Sequence, residues 1–152
     1  MGYVRLILVV ALAAFALSSC DSEEKKVKSL MESIHADFDS ANYAQCIADI
    51  DTLRSRHPKA VEARKEALKI YKEASLLLAQ QKLAVVDQLL LAAEVSYDSL
   101  NAIVEQHRVD HSVTKEEFDS LTMLRMRRDS LKGAFDVECA KIKYIHKKQK
   151  ED

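Results

Sequence analysis

Apolar positions recur at helical spacing along almost the whole chain. Val27, Leu30, Met31, Ile34 and Phe38 fall three and four residues apart, which predicts an amphipathic helix over residues 24–39. Asp39-Ser40-Ala41-Asn42 reads as a turn, and Cys46, Ile47, Ile50 and Leu53 mark a second helix over residues 43–56. Pro58 ends it, because the residue before a proline avoids helical dihedrals while proline itself suits the first turn of a new helix. No Pro or Gly interrupts the chain from Lys59 to His107. One helix of about 49 residues, roughly 73 Å at 1.5 Å per residue, is therefore expected.

Within that helix Leu76, Leu83, Leu90, Tyr97 and Val104 repeat every seven residues, with Ala79, Val86, Ala93 and Leu100 three residues after the first four. This is a heptad seam. Residues 108–113 are polar enough to turn, and Thr114-x-x-Glu117 has the form of a capping box that opens a last helix through residue 148. That helix has its own seam at Leu121, Leu124, Arg128, Leu131, Phe135, Glu138, Ile142 and Ile145. Folding the two helices back antiparallel aligns the seams when facing positions have numbers that sum to 221. Leu90 then meets Leu131, Val86 meets Phe135 and Leu100 meets Leu121. The two polar members are expected to find partners as well, Glu138 near Lys82, and Arg128 opposite Ala93 beside Glu94.

A second apolar stripe is left over. Between Leu76 and Val95, 14 of 20 residues are apolar, and Leu77, Leu78, Ala84, Val85, Leu91 and Ala92 lie off the seam. A helix apolar nearly all round is buried on more than one side. Lys82, Asp87 and Glu94 argue against a bilayer span, which leaves two readings: the interior of a compact four-helix bundle, or a binding and self-association face.

The N-terminus follows a different logic. Arg5 supplies a positive charge, Leu6 to Leu17 an apolar run, and Leu17-Ser18-Ser19-Cys20 closes it with small residues before a cysteine. The pattern resembles the bacterial lipobox. That resemblance implies cleavage before Cys20, lipidation of Cys20, and a mature chain tethered to the envelope of a Gram-negative bacterium, with the outer membrane expected and its periplasmic and surface faces both open. A spanning helix needs roughly 20 apolar residues, more than this run supplies. Residues 1–19 are thus read as signal peptide and 20–25 as the linker to the anchor. The acidic run Asp21-Ser22-Glu23-Glu24 looks like a surface-export signal, whereas Asp directly after the cysteine resembles an inner-membrane retention signal.

A further resemblance lies in Tyr43-x2-Cys46-x3-Ile50-x2-Leu53-x4-Pro58, which is similar to the second helix of a tetratricopeptide repeat. Ile34 stands about where that family's first helix has Gly, and no second repeat follows, so the resemblance covers residues 27–58. A generic helical hairpin is the other reading. The expected fold is all-α: a short TPR-like helical hairpin over 26–58, then a long antiparallel coiled-coil hairpin over 59–149.

Charge and chemistry add little to this picture. Without Arg5 the chain has 22 basic and 24 acidic residues, and this balance gives no reason to expect a nucleic-acid partner. Lys141, Lys143, Lys147, Lys148 and Lys150, with His146, crowd the C-terminus. There they favour the helix dipole and form a basic patch that could meet anionic headgroups or an acidic partner. Cys46 and Cys139 fall on apolar sides of helices, where free cysteine acts as a small hydrophobe; a disulfide between them is the minor alternative. His107-x3-His111 falls at the predicted turn and lacks the glutamate of a zinc-protease motif, and there is no Gly-rich phosphate loop or Cys-x2-Cys pair. No enzyme, metal or cofactor is expected. The sequence points to a lipid-anchored scaffold that binds an envelope protein or itself through helix faces, with a self-assembling structural or chaperone-like lipoprotein as the alternative.

Overall fold

The computed structural model describes residues 22–151, so the lipobox and Cys20 lie outside the described residues. The described chain is helical apart from short turns. Helix α1 runs through residues 22–39, α2 is Tyr43–Arg56, α3 is Val61–Val109 and α4 is Lys115–Glu151. The fold is all-α, and α3 and α4 form the expected long hairpin. Two compact units divide at Ser75 and Leu76, with α3 contributing to both.

In the first unit α1, α2 and the start of α3 enclose one apolar cluster. Ile34, Cys46, Ile50, Leu53, Ala67 and Ala74 are fully buried, with Met31 nearly so. Each large side chain withdrawn from water contributes about 1.5 to 3 kcal/mol. Ala67 and Ala74 keep that side of α3 thin enough for the other helices to approach. Arg54 lays its guanidinium 4.4 Å from the centre of the Tyr71 ring, and Ser33 bonds Asp49 at 2.8 Å. Burial, then Asp37 and Asp49, push the Cys46 thiol above its usual range. Cys46 and Cys139 are both free, Cys46 buried and Cys139 half-buried.

Pro58 does not open α3. It sits in a separate turn in which the Ala60 amide donates to the His57 carbonyl and the Val61 amide to the Lys59 carbonyl. The first helical bond of α3 runs from Arg64 to Ala60, so α3 begins three residues later than its proline suggests.

The second unit is the hairpin of α3 and α4. All nine predicted seam positions of α3, from Leu76 to Val104, are buried or half-buried. Between residues 121 and 145 of α4, the eight predicted seam positions and Cys139 are the ones withdrawn from solvent. Arg128 places its guanidinium 4.2 Å from the centre of the Tyr97 ring, and His107 Nδ1 stands 2.8 Å from Glu117 Oε1. These pairs have numbers that sum to 225 and 224. Both sums lie about one turn beyond the expected 221, and a shift of one turn leaves the same two seams facing each other, because each repeats in steps of three and four residues.

The two polar seam residues take partners other than those expected. Glu138 pairs with Lys141 at 2.6 Å, one turn away on its own helix, rather than with Lys82. A lysine already on the same helix closes the pair without a second stem crossing the seam, and Glu138 Oε2 is left buried without a hydrogen bond. Arg128 turns toward Tyr97 and bonds Asp129 at 2.8 Å rather than approaching Glu94. Its lean toward the start of α4 carries it there.

Two of the three turns between helices, α1 to α2 and α3 to α4, use the same device. Ala41 and His111 adopt left-handed dihedrals, with φ of 59° and 53°, and the amides of Asn42 and Ser112 reach back to the carbonyls of Asp37 and His107 at 2.8 Å each. These are Schellman closures. The capping box then starts α4: the Thr114 amide donates to Glu117 Oε2 at 2.9 Å and the Glu117 amide to Thr114 Oγ1 at 3.2 Å. Chiefly through the Thr114 amide, and then through the Thr114 side chain and His107, the Glu117 carboxyl is held below its ordinary value of 4.5.

Two expectations follow for the hairpin. Cysteines replacing Leu90 and Phe135, whose numbers sum to 225 as do those of Tyr97 and Arg128, should crosslink within one molecule, and Leu90 with Leu131 less readily; the reverse preference would restore the register of 221. The depressed Glu117 pKa favours the folded state above the ordinary carboxylate range, and that advantage is lost as pH falls through the native value. In acid titrations followed by circular dichroism, Glu117→Gln should be less stable than wild type near neutral pH, with the gap closing below 4.5. A gap that does not change with pH would mean that the Glu117 charge contributes nothing to the cap.

Candidate interaction surface

A single face of α3 in the second unit stays in contact with water although it carries several large apolar residues among its glutamines and serines. Val85 is 58% exposed, Leu91 56% and Val95 67%, with Leu89 and Ile103 also exposed. Of the six residues predicted for the stripe, Ala84, Val85, Leu91 and Ala92 are exposed, and Leu77 and Leu78 are half-buried. The reading of this stretch as the interior of a compact bundle is therefore corrected. Among the described residues no helix of this unit covers it.

Leu89, Val95 and Ile103 belong to the same face and were not in the predicted set. The prediction followed two heptad rows beside the seam, whereas the open surface centres on the side of the helix opposite Leu90. At about 100° per residue that side gathers Gln81, Val85, Gln88, Ala92, Val95 and Ser99, with Leu89 and Leu91 at its edges. A helical-wheel reading centred there would have found them.

The face carries no charge. Between residues 77 and 103 the charged side chains are Lys82, Asp87, Glu94 and Asp98, and all four project about 100° or more away from its centre. Its serines also present little polarity. Ser96 Oγ donates to the Ala92 carbonyl at 2.8 Å and Ser99 Oγ to the Val95 carbonyl at 2.7 Å. Both hydroxyls are thus satisfied by the helix itself.

By length and composition α3 is able to cross a membrane, since an 18-residue window has a mean hydropathy of 1.4 and only 17% of it is buried. The hairpin argues against that. Folded back along α3, α4 sets exposed Arg127, Asp129, Lys132 and Asp136 alongside the same stretch, and charged residues at a bilayer centre cost about 2.5 to 3.5 kcal/mol each. The exposed apolar residues of α4, Phe118, Met123, Met126, Val137 and Tyr144, are scattered among charges. Such scattered exposure is ordinary for a protein surface.

Lys141, Lys143, Lys147, Lys148 and Lys150 are all exposed. Part of their charge is met locally, because Lys141 pairs with Glu138, and Lys147 and Lys148 with Glu151 at 3.9 and 2.8 Å. The C-terminal patch is thus less basic than its sequence suggests.

The chain matches no protein-family model, no curated protein and no solved structure. Its surface chemistry must carry the argument alone. Among the described residues no group of three His, Cys, Asp or Glu side chains is placed to hold a metal ion. A notch of about 270 Å³ beside the hairpin tip is lined by residues including Tyr97, Asn101, Arg108, Phe118 and Arg125. Its arginines are already paired, Arg108 with Glu105 at 3.1 Å and Arg125 with Asp129 at 3.9 Å. Nothing in it pairs a nucleophile with a base.

Proposed function

We propose that this chain is a lipid-anchored, non-catalytic interaction protein of a Gram-negative envelope, held to its membrane through Cys20 and binding another helix through the open face of α3. The exposure of Val85, Leu91 and Val95 on a charge-free side of a helix carries the reading. Contiguous apolar surface beyond a few hundred Å² is uncommon on monomers and marks interaction sites. Helix-in-groove and coiled-coil partners recognise this kind of surface, an apolar stripe at helical spacing. The lipobox-like segment supports the address, and the Tyr43 to Pro58 pattern supports reading the first unit as a lone repeat-like hairpin beside the anchor. With α4 on the opposite side, α3 serves as the rigid bar that holds the face in position.

Two experiments test the two halves of this reading. Val85→Glu with Leu91→Glu puts two charges on the face without touching the seam. Helicity by circular dichroism and the melting transition should be largely kept, while any mass above the monomer in light scattering, or any envelope protein crosslinked to wild type, is lost. Unfolding of the double variant would make the face part of a core and remove the binding reading. For the anchor, Cys20→Ser should abolish incorporation of labelled palmitate and leave the precursor uncleaved. Normal maturation of this variant would end the lipoprotein assignment while leaving the α3 face untouched.

A further inference from the structure

The first unit separates its charges end from end. Residues 21–28 and 54–65 carry eight lysines and arginines against four acidic residues, whereas residues 29–53 carry five acidic residues and no lysine or arginine. The two basic segments are distant in sequence, and the α1–α2 hairpin brings them together. His57 Nδ1 stands 2.6 Å from Glu23 Oε1, and Glu23, Val27, Arg56, His57 and Lys59 line one groove between the start of α1 and the α2–α3 turn.

Helix stability does not account for this arrangement. Arg54 and Arg56, in the last turn of α2, suit its dipole. Lys25, Lys26 and Lys28 lie in the first two turns of α1, and Arg64 and Lys65 near the start of α3, where positive charge gains nothing from the dipole. Ion pairing does not account for it either. Lys26 meets Glu23 at 3.8 Å, Lys65 meets Glu62 at 2.9 Å and Arg54 meets Asp51 at 3.3 Å, but Lys25, Lys28, Arg56 and Lys59 are exposed and pair with no carboxylate among the described residues. Glu23, the acidic residue that lines the groove, is occupied by His57 and Lys26.

The same end carries the tether. Glu23 is three residues from Cys20, a reach of at most about 11 Å, and the Debye length is about 8 Å at physiological ionic strength. A lipid on Cys20 thus holds the groove close enough to a bilayer for headgroup charge to act on it. We infer that the basic end of the α1–α2 hairpin is a membrane-docking surface for anionic phospholipid headgroups, which stands the first unit on its anchor with residues 29–53 directed away from the bilayer. The inference rests on lipidation of Cys20, and goes further by naming the surface that orients the chain and the lipid it meets. Charge complementarity selects that lipid: an anionic headgroup attracts the unpaired Lys25, Lys28, Arg56 and Lys59, while the same leaflet repels the acidic remainder of the hairpin.

The test uses the full chain purified from membranes in detergent, with Cys139→Ser so that one nitroxide label can be placed, Cys46 being buried. Ser55→Cys puts the label at the basic end and Ser40→Cys puts it in the α1–α2 turn; both positions are exposed. Each protein is reconstituted into vesicles of phosphatidylcholine, or of phosphatidylcholine and phosphatidylglycerol in equal parts, and collisions of the nitroxide with nickel chelated to a headgroup are read by electron paramagnetic resonance. Collisions at Ser55→Cys should rise in the anionic vesicles while those at Ser40→Cys do not. The rise should be lost at about 1 M salt, where the Debye length falls to about 3 Å. It should also be lost when Lys25→Gln, Lys28→Gln, Arg56→Gln and Lys59→Gln are added together, with circular dichroism unchanged. Equal collisions at Ser55→Cys in the two kinds of vesicle would overturn the inference, as would a rise at Ser40→Cys that matches it. If anionic vesicles give no rise and the wild-type chain, but not the glutamine variant, crosslinks to an acidic protein in membranes, the basic end belongs to that partner and the lipid is refuted. Failure of the wild-type chain to float with neutral vesicles would refute the anchor itself, and the inference with it.

Discussion

A helix of 49 residues cannot shelter itself from water, and the rest of this structure follows from how α3 is covered. Isolated helices in water are held by little more than local propensity, and most helical stability comes from packing of an apolar face. α3 is packed at two stretches. Near its start Ala67 and Ala74 close against α1 and α2, and from Leu76 onward its seam closes against α4. The two stretches have different partners, and the chain divides into two units although one helix runs through both. What α4 leaves uncovered in its own unit is the side of α3 opposite Leu90.

Much of this was legible in the amino-acid sequence, and the reason is physical. Heptad spacing states which side of a helix is dry, so the seam positions of α4 could be read one by one, including Arg128 and Glu138, whose polar character breaks the pattern but not the spacing. Helix ends were legible where a breaker or a cap has a specific geometry, as at Thr114 and Glu117. Pro58 misled by three residues because a proline tolerates both the first turn of a helix and the turn before it.

The choice of polar partners was not legible. Two seams that repeat in steps of three and four match at registers one turn apart, so spacing alone could not set Arg128 against Tyr97, and Glu138 takes Lys141 on its own helix. The extent of the open face was only half legible for a related reason. Heptad rows describe a surface relative to one partner, and Val95 and Leu89 become visible as surface only once the side taken by α4 is known.

Ala41 and His111 bear on how the chain reaches this structure. Left-handed dihedrals cost a residue with a Cβ roughly 1 to 2 kcal/mol relative to its right-handed conformations, and glycine is the usual remedy. Here the glycine of the described chain is Gly133, within α4, where a Cβ would meet nothing within 4 Å. At both corners, then, the local backbone preference opposes the reversal that the fold demands. Neither corner is suited to nucleate its hairpin. Closure must wait for the apolar seams to collide, so the rate-limiting contacts in folding should involve residues far apart in the chain, with the turns locking only after the helices have docked.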